Sequence, residues 1–270
     1  MKKILISCFG VLGRSLSITY QNHLNKVFSV LNESEFEYDI CYTNNDIGDD
    51  LIDGKCQDKS YLKEINYDFF NEVKQSHIDS EIKNLYPNYA SNRRKGSAKG
   101  QGFFRRRYFK KFGLNPFRNS YIETYVSEFL KNQISRYDYV YTFCSDLWFD
   151  KKIDLGWISQ HPDSIIVGDS NPAMGITNGF YAGKLNNVAN LLNSFYDLNH
   201  LAQNDYECIL KLNKIKYNLE VLEHNFRFIK IRSNGEPANY ANVARLENLH
   251  NRTKHIISDF NKCQQKNSEK

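Results

Sequence analysis

The segment KKILISCFG at residues 2–10 sets the fold class. Its mostly apolar run is typical of a strand that is covered on both faces, as the strands of parallel sheets are. Apolar residues recur at helical spacing in the segment 17–32, and EYDICYT at 37–43 has the composition of a second strand. A strand, a helix and a second strand in this order favour a right-handed crossover and a parallel sheet.

Strands and helices alternate along the rest of the chain. The sequence predicts strands at YDYVYTF (137–143) and DSIIVGDS (163–170), and a pair of strands within 218–235. Predicted helices fall within the segments 61–78, 120–135, 184–199 and 204–215. This alternation predicts an α/β fold with a mostly parallel central sheet flanked by helices. We expect one domain at 1–236 and a helical C-terminal extension at 237–270.

The net charge of +5 comes from one segment of the chain. Residues 93–118 hold ten Lys and Arg and no Asp or Glu, whereas the remaining chain has 26 basic against 31 acidic residues. The composition of SNRRKGSAKGQG (91–102) predicts a basic flexible insertion at about 91–118. Such a segment suits a lid over an anionic ligand, peripheral contact with an anionic membrane, nucleic-acid binding or a solvated loop. Since no stretch resembles a known nucleic-acid module, we expect a lid or an acceptor surface.

Several classes of protein are not expected from this composition. No run approaches the ~20 apolar residues of a membrane span. The short run ILISCFG (4–10) indicates a buried strand rather than a targeting signal, so a cytoplasmic protein is expected. The six cysteines form no C-x-x-C pair and the seven histidines no H-x-x-x-H pair, which argues against a zinc site and a disulfide framework.

The predicted strand at 137–143 ends in CSDLWFD, which places Asp146 just beyond its carboxyl end. Ligands of open α/β sheets bind beyond these ends of the strands. Mg²⁺ is held by oxygen ligands and often takes only one or two carboxylates, with substrate phosphates completing its shell. Asp146 is therefore either a metal ligand beside a diphosphate or a turn cap that pairs with a lysine, and the pattern alone favours neither.

The turn FGVLGRS (9–15) follows the first strand. Gly10 and Gly13 would let the backbone approach a ligand closely, and Arg14 at the predicted start of a helix favours a phosphate group. The alternative is an ordinary turn with a surface arginine, because the pattern is neither G-x-G-x-x-G nor a P-loop.

In their order along the chain, these motifs resemble those of a family of GT-A-fold glycosyltransferases. Its members occur in bacterial surface-glycan gene clusters and in large DNA viruses of algae. The resemblance covers about residues 3–43 and 121–235 and implies a GT-A-like, Rossmann-like sheet. The stretches that carry it are FGVLGRS (9–15), YDICYT (38–43), YDYVYTFCSDLWF (137–149), GITNGFYAG (175–183) and IRSNG (231–235).

The resemblance also implies roles for individual residues. Asp146 would ligate Mn²⁺ or Mg²⁺ on the diphosphate of the donor, and the segment 175–183 would shape the sugar and acceptor pocket. The residues implied to bind the donor are Gly10, Arg14, Thr43, Ser145, Asn178, Tyr181 and Arg232.

Two departures from the family pattern affect the chemistry. The family often has R-x-R-P-D where this chain has TFCSD (142–146), so phosphate neutralisation must come from elsewhere, such as the basic segment. The family often has Asp at the position of Asn178, and asparagine cannot serve as a general base. An inverting reaction would need another carboxylate. The candidates are Asp169, Asp205 and Glu207, with helix capping as the favoured alternative for Asp205 and an open one for Glu207.

The resemblance thus implies a nucleotide-sugar-dependent glycosyltransferase of glycan biosynthesis. It would move a sugar from a nucleotide-diphosphate donor to a hydroxyl of a glycan or lipid-linked acceptor, with Mn²⁺ or Mg²⁺ on the diphosphate. The alternative is a non-catalytic binding protein on an α/β scaffold, which would bind nucleic acid through residues 93–118.

Overall fold

The computed structural model describes residues 2–48, 60–87, 115–168, 176, 179–196, 210, 213–224 and 228–231. The strands are β1 (Lys3–Gly10), β2 (Glu37–Asp46), β3 (Phe69–Lys74), β4 (Tyr139–Cys144), β5 (Leu147–Phe149), β6 (Ser164–Gly168), β7 (Phe180–Lys184), β8 (Glu220–His224) and β9 (Phe228–Lys230). The helices are α1 (Leu12–His23), α2 (Ser29–Asn32), α3 (Gln75–Leu85), α4 (Asn115–Lys131), α5 (Gly156–Gln160) and α6 (Leu185–Leu192). A π-helical turn at Leu24–Phe28 joins α1 to α2, and a short 3-10 helix lies at Ser60–Lys63.

Seven of these strands form one sheet in the order β3-β2-β1-β4-β7-β6-β8. Neighbouring strands are parallel, except that β7 runs antiparallel to both β4 and β6. β5 and β9 form a separate antiparallel pair. The sheet confirms the predicted α/β fold with a mostly parallel central sheet, and it is consistent with a GT-A-like arrangement.

Two apolar cores cover the two faces of the sheet. Leu5 of β1 packs in the first core, with the buried faces of α3, α4 and α6. Its neighbours Ile4 and Ile6 point to the opposite face and pack with α1, α2, α5 and β5. Side chains along a strand alternate between faces, so a strand covered by helices on both sides is apolar at most positions. This explains why β1 is a nearly continuous apolar run, with Ser7 as a buried exception.

The structure differs from the sequence prediction at several strands. β3 begins at Phe69 within a segment that predicted only a helix, and α3 starts directly after it. β5 and β7 were not predicted, and the sequence FYAGK of β7 contains a glycine. A Cβ atom at Gly183 would lie 2.8 Å from the carbonyl oxygen of Ser164, so the glycine allows close approach to β6. β8 and β9 do not pair with each other, since β8 pairs with β6 and β9 with β5.

Other predictions fall on parts of the chain outside the described residues. The basic insertion at 91–118 is described only at 115–118, where α4 begins, and the helix predicted at 204–215 is described only at 210 and from 213 onward. The C-terminal extension at 237–270 lies wholly outside, so the division into domains stays a prediction. Among the described helices, none has the length and apolar character that crossing a membrane requires.

Candidate functional site

A cleft of about 540 Å³, including its open mouth, lies at the carboxyl ends of β1, β2 and β4. This is the edge of the sheet where open α/β folds bind their ligands. Four segments contribute to its wall: the end of β1, the end of β2, the first turns of α4 and the turn after β4. A fifth contribution comes from β9. Its lining includes Gly10, Arg118, Glu123, Ser145, Asp146 and Lys230.

The turn between β4 and β5 carries Ser145 and Asp146, and backbone hydrogen bonds fix it on both sides. The N–H of Ser145 donates to the carbonyl oxygen of Phe9 at 2.8 Å, which ties the turn to β1. The N–H of Ile231 donates to the carbonyl oxygen of Asp146 at 2.8 Å, which ties it to the end of β9. The backbone that carries Asp146 is therefore held between two strands that are distant in sequence.

Helix α1 supports the same turn through a buried row of polar side chains. The hydroxyls of Ser15 and Ser145 share a hydrogen bond of 2.6 Å, and Thr19 donates to the carbonyl oxygen of Ser145 at 2.6 Å. One turn further along α1, the side-chain amide of Asn22 donates a hydrogen bond to the carbonyl oxygen of Phe149 and accepts one from the N–H of the same residue. Buried polar groups need hydrogen-bond partners, and these groups find them only when the β4–β5 turn lies in one position against α1.

His23 ends this polar row and is neutral. Its Nε2 lies 2.8 Å from the carbonyl oxygen of Leu147, so Nε2 carries the hydrogen and donates it. The ring packs edge-on against Phe143, with the two ring centroids 5.1 Å apart. Complete burial lowers the pKa of His23 from its ordinary value of 6.5 to about 4, with the bond to Leu147 opposing the shift.

The free energy of unfolding is expected to fall as the pH decreases from about 6.5 to about 4. In this window the unfolded chain binds a proton at His23 that the folded chain does not bind, whereas above it both states are neutral. The full effect of a shift from 6.5 to about 4 is about 3 kcal/mol. Urea titrations across this range measure it. His23→Gln should flatten the slope, with His161→Gln at an exposed histidine as the control, and an unchanged slope in His23→Gln would contradict the assignment.

Gly10 ends β1 at the floor of the cleft with φ +126°, a conformation that side-chain-bearing residues rarely adopt. A Cβ atom there would lie 3.0 Å from the Oγ of Ser145. Gly10 therefore allows the chain to change direction at the end of β1, directly beneath the β4–β5 turn that carries Asp146. Helix α1 begins two residues later at Leu12, so Gly13 lies inside the helix rather than in the predicted turn.

Asp146 is partly buried at the cleft wall. Its Oδ1 is inaccessible to solvent and accepts no hydrogen bond from any residue that the structure describes. A buried carboxylate oxygen is costly unless a partner compensates it. The side chain is therefore poised for a cation or a hydrogen-bond donor that a ligand would bring.

Charged groups of both signs surround the nearby thiol of Cys144. Burial raises the pKa of this thiol far above its ordinary value. Among the charged groups, Lys230 has the largest influence on this pKa and lowers it. The carboxylates of Asp146 and Glu123 raise the pKa, and Arg14 has a smaller lowering effect. Both cations and both carboxylates thus act electrostatically on one point of the cleft. The thiol itself is held in its protonated form.

β9 brings Lys230 into the cleft from the distal part of the chain. In the β5–β9 ladder, Lys230 pairs with Leu147, the residue that directly follows Asp146 in sequence. A Cβ atom at Gly179, whose φ is +108°, would lie 3.3 Å from Cε and 3.5 Å from Nζ of this lysine. The lysine side chain therefore packs over a glycine backbone beside the turn at Asp146.

Glu123 contributes a second carboxylate to the cleft wall from α4, although it is only 2% exposed. Its Oε1 accepts a hydrogen bond of 3.0 Å from the hydroxyl of Tyr181. One turn earlier on the helix, Arg118 binds both carboxylate oxygens of Asp79, at 2.7 and 2.6 Å. This ion pair fixes the first turns of α4, which line the cleft, against α3.

The structure brings some of the residues predicted from sequence together and separates others. Gly10, Ser145 and Asp146 line one cleft, and Arg14 lies within electrostatic reach of it. Thr43 and Tyr181 are fully buried in their strands and do not line it, so donor binding by them stays a prediction. The remaining site predictions lie outside the described residues: Asp169, Asn178, Asp205, Glu207 and Arg232.

Sequence reasoning missed Lys230 and Glu123. Lys230 lies in a predicted strand two residues before Arg232, and nothing in its sequence context separates it from the other lysines. Glu123 occupies the buried face of a predicted amphipathic helix beside Ile122. A carboxylate on an apolar helix face was the one available signal, because charged residues are almost never fully buried unless they are paired.

Asp146 fits a divalent cation of the kind that the resemblance implies. Within the described ranges no group of three or more His, Cys, Asp or Glu is arranged as a metal cage. Mg²⁺ does not need one, since one or two carboxylates and the oxygens of a bound diphosphate suffice. The buried Oδ1 of Asp146, with no described partner, matches that requirement.

No protein-family model and no curated protein matches the chain. Among solved structures, the chain is similar to the apo form of mouse xyloside xylosyltransferase 1. The sequence identity is 10% and the TM-score 0.38, over 83% of this chain and 84% of the mouse chain. A likeness at this level does not transfer the activity of the mouse enzyme.

Proposed function

We propose that the protein is a glycosyltransferase that moves a sugar from a nucleotide-diphosphate donor to an acceptor hydroxyl, with Mn²⁺ or Mg²⁺ on the diphosphate. One observation carries the proposal. Asp146 presents a buried carboxylate oxygen with no described partner at the ligand-binding edge of an α/β sheet, beside Lys230. A carboxylate next to a lysine in an open cleft suits a ligand that brings both phosphate oxygens and a cation.

The residues of the cleft would have separate roles in donor binding and in stabilising the departing diphosphate. Gly10 would allow the donor to approach the backbone at the end of β1, since no side chain occupies that space. Lys230 and Arg14 would balance the charge that develops on the departing diphosphate. Asp146 would hold the divalent cation, which when bound supplies positive charge to the phosphate oxygens. The fixed turn at Ser145 would keep Asp146 in place without reorganisation.

The acceptor would be a glycan or a lipid-linked glycan, as the resemblance implies. Attack by its hydroxyl on the anomeric carbon breaks the bond to the diphosphate, which leaves with the bonding electrons. If the reaction inverts, the proton passes to a carboxylate, for which Asp169, Asp205 and Glu207 stay the predicted candidates.

A thermal-shift screen of the purified protein tests this proposal. UDP, GDP, CDP and ADP are each added with Mn²⁺, with Mg²⁺ and with EDTA, and the matching nucleosides serve as controls. A ligand that binds only the folded state stabilises it by about 2.7 kcal/mol at a hundredfold excess over Kd. We expect one diphosphate to raise the melting temperature when metal is present, and its nucleoside to have little effect. No shift with any of the four would contradict the proposal.

Replacing Lys230 with methionine should weaken binding of that diphosphate by roughly 10- to 100-fold, because a charge-assisted hydrogen bond to phosphate contributes roughly 1.5–3 kcal/mol. The nucleoside without phosphates should bind the variant and the wild type equally. Isothermal titration calorimetry with both ligands measures the difference. Lys152→Met, at an exposed lysine, is the control. Equal loss of diphosphate and nucleoside binding in Lys230→Met would show that the lysine is structural.

A further inference from the structure

The outer face of α4 leads from the cleft to a group of tyrosines and carboxylates that the proposed chemistry does not use. Arg118 lines the cleft, and Tyr121, Tyr125 and Glu128 follow it on the same helix, all at least partly exposed. Residues three or four apart are neighbours on a helix surface, so one continuous strip joins the cleft to Glu128. A helix rises about 1.5 Å per residue, which makes this strip about 15 Å long.

One buried phenylalanine fixes two tyrosine rings beside this strip. Phe195 is fully buried and packs edge-to-face with Tyr121 and with Tyr196, at centroid distances of 4.9 and 5.5 Å. His77 of α3 packs edge-on to Tyr121 from the other side, at 6.1 Å. Tyr196 is nevertheless 57% exposed. The protein therefore presents aromatic surface in a fixed position, and a ligand that covered it would lose little free energy in ordering these rings.

Two carboxylates lie within electrostatic reach of both tyrosine hydroxyls. Burial is the main cause that raises the pKa of Tyr121 to about 12, and Tyr196, Glu81 of α3 and Glu128 raise it further. Burial also raises the pKa of Tyr196, with Glu128 and Glu81 adding to the shift. Both hydroxyls therefore keep their protons near neutral pH and can donate hydrogen bonds.

These four side chains have their hydrogen-bonding capacity available. Among the residues that the structure describes, none forms a hydrogen bond or an ion pair with the side chains of Tyr121, Tyr196, Glu81 or Glu128. We call the four residues the tyrosine platform. It combines exposed ring surface, two hydroxyl donors and two carboxylate acceptors.

A neutral sugar is complementary to this combination. One face of a sugar ring carries C–H groups that pack on an aromatic ring, and its hydroxyls both donate and accept hydrogen bonds. The two carboxylates would repel an anionic ligand, and an ammonium group would offer the tyrosine hydroxyls no acceptor. An apolar partner would bury both carboxylates without compensation.

We propose that the tyrosine platform binds a neutral oligosaccharide acceptor outside the cleft, while the terminal sugar of that acceptor reaches the donor inside it. This inference rests on the proposed function. It narrows the acceptor to a chain of at least two sugars, because the strip between the cleft and Glu128 is longer than one sugar ring.

Binding of glycans to the wild-type protein is the first test. A microarray that carries neutral, sialylated and sulfated oligosaccharides identifies the glycans that the protein retains. Titration calorimetry then measures the affinity for the best neutral oligosaccharide, for its terminal monosaccharide and for oligolysine. We expect neutral oligosaccharides to be retained in preference to anionic ones. The monosaccharide should bind at least about tenfold more weakly, since it cannot contact the cleft and the platform together.

Tyr196→Ala removes the most exposed ring of the platform. We expect it to weaken oligosaccharide binding by about tenfold and to leave the affinity for the nucleoside diphosphate unchanged, because Tyr196 does not line the cleft. Tyr67→Ala is the matched control, since Tyr67 is also exposed, at 47%, and packs against Phe70 of β3. This control should bind the oligosaccharide as the wild type does.

Glu128→Gln tests a carboxylate of the platform and leaves both rings in place. The loss of a charge-assisted hydrogen bond from a sugar hydroxyl should weaken oligosaccharide binding by roughly three- to tenfold. Glu64→Gln is the control, at an exposed glutamate next to Ile65, which packs in the core on the opposite face of the sheet.

Four results would overturn the inference. They are retention of no neutral oligosaccharide by the wild type, equal retention of anionic glycans, and wild-type affinity for the oligosaccharide in Tyr196→Ala. The fourth is binding of oligolysine that depends on Tyr196 without binding of any oligosaccharide, which would assign the platform to a cationic partner.

The same measurements separate this inference from the proposed function. If a nucleoside diphosphate binds but no oligosaccharide does, this inference alone fails. If an oligosaccharide binds through Tyr196 but no diphosphate binds, the platform is a sugar-binding site and the proposed transferase fails.

Discussion

Asp146→Asn is expected to abolish the metal-dependent stabilisation by a nucleoside diphosphate and to lower sugar transfer by roughly a hundredfold or more. Asparagine keeps the size of the side chain but loses the negative charge that would hold the cation. The fold should survive, because the turn is fixed through backbone groups, including the carbonyl oxygen of residue 146. The buried Oδ1 has no described partner whose loss would destabilise the protein.

The measurement compares melting curves of the wild type and the variant with diphosphate and Mn²⁺, and with diphosphate and EDTA. Asp163→Asn is the control, because Asp163 forms an exposed ion pair with Lys184 at the opposite edge of the sheet. If Asp146→Asn retained the metal-dependent shift, Asp146 would be only a turn residue, which is the alternative that the sequence left open.

Gly10→Ala is expected to lower the free energy of unfolding by about 2–3 kcal/mol and to disrupt the cleft. An alanine at φ +126° is strained, a cost of roughly 1–3 kcal/mol. Its Cβ would also press against the Oγ of Ser145 at 3.0 Å, and that hydroxyl is bonded to Ser15. The turn that carries Asp146 would have to shift, so binding of the diphosphate should fall with stability.

Gly48→Ala provides the comparison, since Gly48 also has a positive φ of +60° but no atom lies within 4 Å of its Cβ position. We expect about 1 kcal/mol there, from backbone strain without contact to any residue that the structure describes. Urea titrations of both variants give the difference that is due to contact with Ser145. Equal destabilisation would mean that Gly10 matters only for its backbone angles.

The sequence predicted the structure best where the burial of a strand and its place in an α/β sheet both constrain the residues. β1 is apolar at most positions, with Ser7 as a buried exception, because helices cover it on both faces, and this run with the following helix and strand predicted the parallel sheet. Asp146 was found because a polar residue directly after a buried strand must lie at the ligand-binding edge. Both inferences depend on neighbours in sequence and on general rules for α/β sheets.

Rules based on neighbours in sequence could not predict the residues that reach the site through pairing with distant segments. Lys230 reaches the cleft because β9 pairs with β5, which lies far earlier in the sequence, and not with the neighbouring strand β8. The polar row on α1 that supports the turn through Ser15 and Thr19 is likewise defined by its partners, not by its own pattern. Glu123 interrupts the apolar face of α4, which periodicity assigns to the core.

The central claim is that the cleft at Asp146 binds the diphosphate of a sugar donor together with a metal ion. A crystal structure of the protein with Mn²⁺ and the diphosphate selected by the thermal-shift screen tests it most directly, because the anomalous scattering of manganese locates the ion. We expect a manganese peak bonded to the carboxylate of Asp146, with the diphosphate between the ion and Lys230. A nucleotide bound elsewhere, or a metal ion without contact to Asp146, would contradict it.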